Sequence, residues 1–276
     1  MREVVEKLSK EFELSVEETE LIVSTLLRRP RFELYFRKSA DHNIVNLLRM
    51  ELTQLKNGVP IEYITKQVQF LRYTLKIFPG VFIPRLETEY FVELIVKLID
   101  FVPERVCEIG TGCGAIAIAL AEALPQSEII ATDISTLALE NARENISLLN
   151  FAHRINLIRA DMFSAFSKGI FDLIVCNPPY IPTERILSLP KSVRDFEPRN
   201  AIDGGFGGIE FIKRIIDRAK YYSVDSKCNV ALEIDDDEVI TLESYLRNES
   251  VNYFFLKDLF GRYRYLFVGN FRKNGE

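Results

Sequence analysis

The stretch Val106-Cys107-Glu108-Ile109-Gly110-Thr111-Gly112-Cys113-Gly114 decides the fold of this chain. A short apolar run enters a loop with three glycines, and a helix is predicted from Gly114 to Ala123. Such glycines let the backbone turn tightly and approach a ligand closely. The third glycine comes one residue too early for the pattern Gly-x-Gly-x-x-Gly, which disfavours a nicotinamide cofactor. The stretch predicts a strand, a ligand-binding loop and a helix, although a plain strand–helix turn has the same pattern.

Strands and helices alternate on both sides of this loop. Helices are predicted at about 88–101, 135–149, 208–221 and 237–247, and strands at 105–109, 128–132, 155–159, 171–176 and 229–234. This alternation predicts a parallel, doubly wound α/β sheet. The last two strands, 253–257 and 264–269, are too closely connected for a parallel crossover and must be antiparallel. The arrangement resembles the class I S-adenosylmethionine-dependent methyltransferase fold.

The first third of the chain has a different residue pattern, without the regular alternation of strands and helices. Ser15-Val16-Glu17-Glu18 has the pattern of a capping box, and the apolar stripe between Asn43 and Asn57 predicts a second helix. Residues 61–84 are rich in β-branched and aromatic residues and include Pro79-Gly80, which predicts a β-hairpin linker. The predicted domains are therefore a small helical bundle (1–60), the linker (61–84) and an α/β domain (85–276).

Composition excludes several classes of protein. The 276 residues are 47% hydrophobic, yet no apolar run approaches the roughly 18 residues of a membrane helix, and the N-terminus shows no signal-peptide core. The net charge of −5 gives no basic field for nucleic acid. Four cysteines without a Cys-x-x-Cys pair predict no metal site and suit a reducing, cytoplasmic location. They are Cys107, Cys113, Cys176 and Cys228.

Acidic residues follow the predicted strands at the edge where the glycine loop lies. Glu108 is expected to meet a cationic group or to orient the loop. Asp133 follows the next strand about 20 residues after the glycine loop, where a carboxylate binds ribose hydroxyls in doubly wound folds. Asp133 is also placed to cap the following helix, for which Ser135 is available too.

A third loop, Arg159-Ala160-Asp161-Met162-Phe163, follows the next predicted strand. Asp161 is predicted to accept a hydrogen bond from an adenine amino group, with Met162 and Phe163 beside the ring. An ordinary acidic loop has the same composition. Because the carboxyl ends of adjacent parallel strands meet at one edge, these loops predict a single cofactor site.

The motif Asn177-Pro178-Pro179-Tyr180 follows the strand 171–176. Methylation of a planar NH₂ group requires acceptors for its two N–H bonds, an apolar surface against its plane and a fixed approach to the methyl donor. The Asn177 side-chain oxygen and the Pro178 carbonyl are predicted acceptors, and Tyr180 is predicted to pack on the plane. Two prolines make the loop rigid, which a purely structural turn also requires.

This motif is similar to that of amino-methyltransferases, and other stretches select among them. Ile83-Pro84-Arg85-Leu86-Glu87-Thr88-Glu89 resembles the Ile-Pro-Arg-Pro-Asp-Thr-Glu segment of the PrmC/HemK family, the release factor glutamine methyltransferases. The resemblance covers essentially the whole chain and departs from the family at Leu86, Glu87 and Thr65-Lys66. The other similar segments are Pro60–Ile64, Phe196-Glu197-Pro198, Ala201, Gly204-Gly205, Gly208 and Phe260-Gly261-Arg262.

The resemblance implies methyl transfer from S-adenosyl-L-methionine to the N5 nitrogen of the glutamine in the Gly-Gly-Gln motif of class 1 peptide chain release factors. The resemblance also implies that S-adenosyl-L-homocysteine is the second product and that the helical domain docks the release factor. Substrate contacts are expected at Asn177, Pro178, Pro179, Tyr180, Glu197 and Pro198. Cofactor contacts are expected at Arg85, Glu89, Glu108, Gly110, Thr111, Gly112, Cys113, Gly114, Asp133, Ile134, Asp161, Met162, Phe163 and Asn177.

Two alternatives use the same motifs. A nucleic-acid amino-methyltransferase, acting on adenine N6 or guanine N2, must take its base out of the stack, and such enzymes usually have a basic docking surface. The net charge of −5 counts against this alternative, and no direct nucleic-acid or membrane partner is expected. A non-catalytic adaptor that binds S-adenosylmethionine has no need of the intact Asn-Pro-Pro-Tyr motif.

Overall fold

The computed structural model of the chain describes residues 1–36, 41–224, 229–249 and 251–272, so Cys228 lies outside the described residues. The chain divides into two compact units. Residues 1–67 and 191–196 form the smaller unit, and the rest of the chain forms the larger unit. None of the helices in the described ranges is long and apolar enough to cross a membrane.

The smaller unit is a small helical bundle. Its helices are α1 (Arg2–Phe12), α2 (Val16–Leu26), α3 (Glu33–Phe36), α4 (His42–Lys56) and α5 (Ile61–Thr65). The predicted capping box at the start of α2 is confirmed, because Ser15 Oγ accepts the Glu18 N–H at 3.1 Å and Glu18 Oε2 accepts the Ser15 N–H at 2.9 Å. The buried core of this unit consists of Met1, Val5, Leu8, Val23, Leu34, Leu48 and Leu52.

The β-rich character predicted for Glu62–Ile64 is wrong, since these residues lie inside α5. Pro60, with φ −55°, precedes the first turn of α5, and Lys66, with φ 56°, ends it in a left-handed conformation. Burial of Tyr63 outweighs the weak strand preference of so short a segment. The hairpin itself is present but shorter than predicted, with β1 at Gln67–Phe70 and β2 at Tyr73–Lys76.

The strands of the larger unit are β3 (Arg105–Ile109), β4 (Glu128–Asp133), β5 (Ile155–Arg159), β6 (Leu173–Cys176), β7 (Val230–Glu233), β8 (Tyr253–Lys257) and β9 (Tyr263–Val268). They form one seven-stranded sheet in the order β5-β4-β3-β6-β7-β9-β8. The pairs from β5 to β7 are parallel, and β9 runs antiparallel to both of its neighbours. The predicted class I methyltransferase topology, with its antiparallel terminal strand, is confirmed.

The helices of the larger unit are α6 (Leu86–Leu98), α7 (Ala115–Ala123), α8 (Thr136–Leu148), α10 (Arg199–Ile202), α11 (Glu210–Tyr222) and α12 (Val239–Leu246), while α9 (Lys191–Arg194) belongs to the smaller unit. Strands β6 and β7 are buried along their whole length, as expected for parallel strands covered on both faces. The strand order changes direction between β3 and β6, and a crevice opens at the carboxyl ends of strands at such a point.

Two buried asparagines of α8 hold the end of β2 and the chain that follows it. Asn145 Oδ1 accepts the Lys76 N–H at 2.8 Å, and Asn141 Oδ1 accepts the Phe78 N–H at 2.8 Å. Both amide groups also donate to the Lys76 carbonyl, and Asn145 Nδ2 donates to the Cys113 carbonyl in the glycine loop at 2.9 Å. The segment after β2 is therefore fixed against α8, next to the crevice.

Candidate active site

A cavity of about 340 Å³ lies at the carboxyl ends of β3, β4 and β6. Its walls come from the glycine loop, the loops after β4, β5 and β6, the segment 80–84 and the segment 198–201. Many of the residues predicted for the site line this cavity. They are Glu108, Gly110, Thr111, Gly112, Cys113, Asp133, Ile134, Asp161, Met162, Asn177, Pro178, Pro179 and Pro198.

The glycine loop is held open by hydrogen bonds to the neighbouring strand. The backbone N–H groups of Gly110 and Thr111 donate to the Thr132 carbonyl at 2.8 and 2.9 Å. Gly112 has φ 57°, a conformation that favours glycine, and no atom lies within 4 Å of where its Cβ would be. Gly114, at the start of α7, instead packs against α8, because its Cβ would lie 3.3 Å from the Cβ of Ala142.

Asp133 ties the glycine loop to the loop after β4. Its Oδ2 accepts the Gly112 N–H at 2.9 Å and its Oδ1 accepts the Ser135 N–H at 2.8 Å. Ser135 Oγ accepts the Ala138 N–H at 3.3 Å, so Ser135 is the residue that caps α8. Each carboxylate oxygen of Asp133 keeps a further lone pair for a ligand. Burial raises the pKa of this carboxyl group above its usual range.

Glu108 is buried at the end of β3, and only one of its oxygens is satisfied. Thr111 Oγ1 donates to Glu108 Oε2 at 2.8 Å, whereas Oε1 has no hydrogen-bond partner within the described part of the chain. Burial, with a smaller contribution from the nearby charge of Asp133, raises the pKa of Glu108 to about 8. An unsatisfied acceptor in a buried site requires a donor, and a cation meets that need best.

The loop after β5 contributes two of its three predicted residues to the cavity. Asp161 is half exposed and lies 3.6 Å from the guanidinium of Arg214, and Met162 is buried with φ 51°. Phe163 is directed into the core, where it is fully buried and stacks on Tyr222 with 4.6 Å between ring centroids. The structure therefore separates Phe163 from the cavity, because stacking in the core removes its ring from both cavity and solvent.

The Asn-Pro-Pro-Tyr loop connects the cavity to a buried group of polar side chains. Asn177 Nδ2 donates to Thr88 Oγ1 at 3.1 Å, and Thr88 Oγ1 donates to Glu233 Oε2 at 2.8 Å. Tyr180 does not line the cavity; its hydroxyl donates to Glu233 Oε1 at 3.2 Å, and its ring packs against the core. We call Asn177, Thr88, Glu233 and Tyr180 the polar chain.

Arg85 and Glu197 form a partly buried ion pair next to the cavity and do not line it. Glu197 Oε2 also accepts the Ile83 N–H at 3.4 Å. Because Pro198 and Pro84 line the cavity, this pair fixes two of its walls relative to each other. Glu89 lies on α6, partly buried and outside the cavity lining.

Several lining residues were not predicted from the sequence. Thr88 lines the cavity and lies in the segment 83–89, whose resemblance to the family motif is a sequence signal for it. In the segment after β2, the only sequence pattern was the turn indicated by Pro79-Gly80, and no pattern indicated that Phe211 on α11 lines the cavity. The further lining residues include Gly80, Val81, Phe82, Ile116, Ser135, Ala138, Asn200, Ala201 and Arg214.

Comparison with solved structures supports the fold. The hMettl16 catalytic domain, solved in complex with MAT2A 3'UTR hairpin 6, superposes with a TM-score of 0.56 and 21% identity, covering 72% of this chain and 76% of that chain. The N-terminal domain of human METTL16 in complex with SAH gives a TM-score of 0.50 and 20% identity, covering 72% and 76% of the two chains. At these identities the likeness concerns the fold alone.

Comparison of sequences is more specific. The methyltransferase small domain matches residues 72–187. The release factor glutamine methyltransferase of Thermodesulfovibrio yellowstonii is 33% identical over 82% of this chain and 81% of its own length. The enzyme of the same name from Clostridium botulinum is 31% identical over 90% of this chain and 89% of its own. With this likeness extending over both units of the structure, the chain belongs to the release factor glutamine methyltransferase family.

Proposed function

We propose that this protein methylates the N5 nitrogen of the glutamine in the Gly-Gly-Gln motif of class 1 peptide chain release factors. The observation that carries the proposal is the position of Asn177, whose carboxamide lies at the cavity wall and is held by Thr88. The family of the chain supports the same substrate. The alternative substrates, adenine N6 and guanine N2 in nucleic acid, have no comparable support.

The cavity fits S-adenosylmethionine. Glu108 Oε1 is a buried acceptor without a partner in the described chain and suits the ammonium group of the methionine part. The remaining lone pairs of Asp133 suit the ribose hydroxyls, while Ile134 and Met162 supply apolar surface for the adenine, with Asp161 at its amino group. When bound, S-adenosylmethionine would supply an electrophilic methyl group: the sulfur–methyl bond would break as the nitrogen–methyl bond forms, its electron pair would stay on the sulfur of S-adenosylhomocysteine, and the amide nitrogen would lose one proton to water.

The residues of the Asn-Pro-Pro-Tyr loop hold the substrate amide. Asn177 Oδ1 and the Pro178 carbonyl accept its two N–H bonds, and Pro179, with the partly buried Tyr180 beside it, supplies the apolar surface. Holding both hydrogens directs the nitrogen toward the methyl donor without a strong base. Positioning of this kind contributes up to about 7–11 kcal/mol to catalysis in well-oriented systems.

Other parts of the chain serve the protein substrate. Glu197 and Pro198 shape the approach to the loop, with Arg85 bracing Glu197. Residues 1–60 dock the body of the release factor, and the exposed aromatic side chains of Phe32 and Phe36 support that role, since they are 61% and 79% exposed. Aromatic side chains are enriched where proteins bind one another.

One competition experiment tests the proposal. The purified protein is incubated with radiolabelled S-adenosylmethionine, a class 1 release factor and total RNA together. We expect label in the release factor, a mass increase of one methyl group on the Gly-Gly-Gln glutamine, and no label when that glutamine is replaced by alanine. Label confined to the RNA would instead establish the nucleic-acid alternative.

A further inference from the structure

The polar chain joins side chains from three distant parts of the sequence. Thr88 lies on α6, Glu233 ends β7, and Asn177 and Tyr180 follow β6. Glu233 is fully buried and Thr88 is 3% exposed, so water does not compete strongly for their hydrogen bonds. A buried carboxylate is costly unless donors satisfy it, and here Thr88 and Tyr180 each donate to one of its oxygens.

The direction of each hydrogen bond follows from the chemistry of the groups. In its ionised form, which predominates above a pKa of about 7, Glu233 has no hydrogen on its carboxylate and only accepts, so it takes the single hydroxyl hydrogen of Thr88. Thr88 Oγ1 then has only lone pairs left, and it accepts from Asn177 Nδ2. An Asn177 carboxamide turned by 180° would place its oxygen against those lone pairs with no hydrogen between them.

We propose that Thr88 and Glu233 are positioning residues that select the rotamer of the Asn177 carboxamide. With Nδ2 committed to Thr88, the acceptor Oδ1 is the group left to face the substrate. The inverse rotamer would present two N–H donors to a substrate amide that needs an acceptor. This inference rests on the proposed function, and it deepens that function by explaining why an ambiguous amide side chain works as an acceptor.

Two matched pairs of variants at position 88 separate hydrogen bonding from packing. Threonine and valine have nearly the same shape and differ by the hydroxyl, and serine and alanine differ in the same way without the methyl group. Thr88→Val, Thr88→Ser and Thr88→Ala are compared with the parent. The measurements are single-turnover methylation of an intact release factor, the KM for that release factor and the Kd for S-adenosylmethionine.

We expect the parent and Thr88→Ser to be fast, and Thr88→Val and Thr88→Ala to be slower by about tenfold or more, as for the loss of one aligned hydrogen bond. The KM for the release factor and the Kd for S-adenosylmethionine should stay within about twofold of the parent values. Packing alone predicts the reverse order, with Thr88→Val close to the parent and Thr88→Ser impaired.

That reverse order overturns the inference, as does a loss of S-adenosylmethionine affinity that accounts for the slower rate. If Thr88→Val does not fold, the comparison of Thr88→Ser with Thr88→Ala decides by itself. A parent protein that labels no release factor would refute the proposed function instead. Refutation of the proposed substrate and refutation of the proposed positioning role therefore give different experimental results.

Discussion

Gly204 lies so close to the catalytic loop that a Cβ atom on it would be 2.7 Å from the backbone carbonyl oxygen of Pro179. The same atom would be 2.6 Å from the carbonyl oxygen of Gly208. Neither neighbour is the end of a flexible side chain, so both backbones would have to move. The loop after the motif therefore packs against Pro179 through backbone atoms, and glycine is needed there for space.

Gly204→Ala should displace Pro179 and lower both activity and stability. Overpacking of this kind costs about 1–3 kcal/mol, and we expect methylation to slow by about tenfold or more. Gly207→Ala is the matched control: Gly207 has φ 63°, and no atom lies within 4 Å of its Cβ position. Melting temperature and single-turnover rate are measured on both. Equal losses in the two variants would mean that general loop strain, and not the contact with Pro179, is responsible.

Asn177→Ala should leave S-adenosylmethionine binding largely intact and slow methylation by about 10²–10³, as for removal of one aligned polar group from a transition state. Asn177→Asp keeps an acceptor but loses the Nδ2 donor to Thr88. Its rate should fall between those of the parent and Asn177→Ala. Titration calorimetry and single-turnover assays on the three proteins test this. A parental rate in Asn177→Ala would exclude the proposed role of the side chain.

Asp133→Ala should weaken S-adenosylmethionine binding, because it removes ribose acceptors and also releases the Gly112 and Ser135 amides. Charge-assisted hydrogen bonds contribute about 1.5–3 kcal/mol, which corresponds to roughly 10- to 150-fold in Kd. Asp237→Ala removes the same charge from an exposed side chain outside the cavity lining and is the control. Calorimetry in excess EDTA also tests whether binding needs a metal. An unchanged Kd in Asp133→Ala would remove this residue from the site.

The stability of the ligand-free protein should fall as the pH rises from about 5 to about 8. Burial raises the pKa of Glu233 to about 7 and those of Glu108 and Glu238 to about 8. Each group binds its proton more tightly in the folded state than in the unfolded chain. Its stabilising contribution is therefore complete below its unfolded value and is lost as the pH rises through its folded value.

Thermal melts across this pH range measure the effect. Glu233→Gln, which stays uncharged throughout, should show a flatter decline than the parent. Carboxyl groups whose pKa is lowered, such as Glu20 and Asp203, stabilise the fold above their unfolded pKa values. Their contribution is therefore almost complete by about pH 5 and changes little from there to pH 8. A melting temperature that rises from pH 5 to pH 8 would contradict the assignment of the three buried acids.

The parts of the site that the sequence predicted are those with a local signature. The glycine loop and the Asn-Pro-Pro-Tyr loop directly follow apolar strands, and Asp133 ends one. Parallel strands bring these carboxyl ends to one edge of the sheet. The capping box at Ser15 was predicted for the same reason, because both of its partners lie within one turn.

The parts that were missed depend on pairs far apart in the sequence. Glu233 is the last residue of an ordinary strand, and its partner Thr88 lies 145 residues away, so only the order of strands in the sheet brings them together. Phe163 illustrates the converse. An aromatic residue after an acidic loop residue is compatible with either a ligand pocket or the core. Phe163 lies in the core because its ring stacks on that of Tyr222, which is distant in sequence.

Asn145 makes methyl-donor binding sensitive to mutations outside the cavity. Its single side chain holds both the Lys76 backbone and the Cys113 carbonyl, yet it does not line the cavity. Two walls of the cavity thus depend on one amide buried in the outer layer of the fold. Random mutagenesis followed by selection for weakened methyl-donor binding should therefore recover substitutions on α8 at residues that do not contact the donor. The selected positions would extend well beyond the residues that line the cavity.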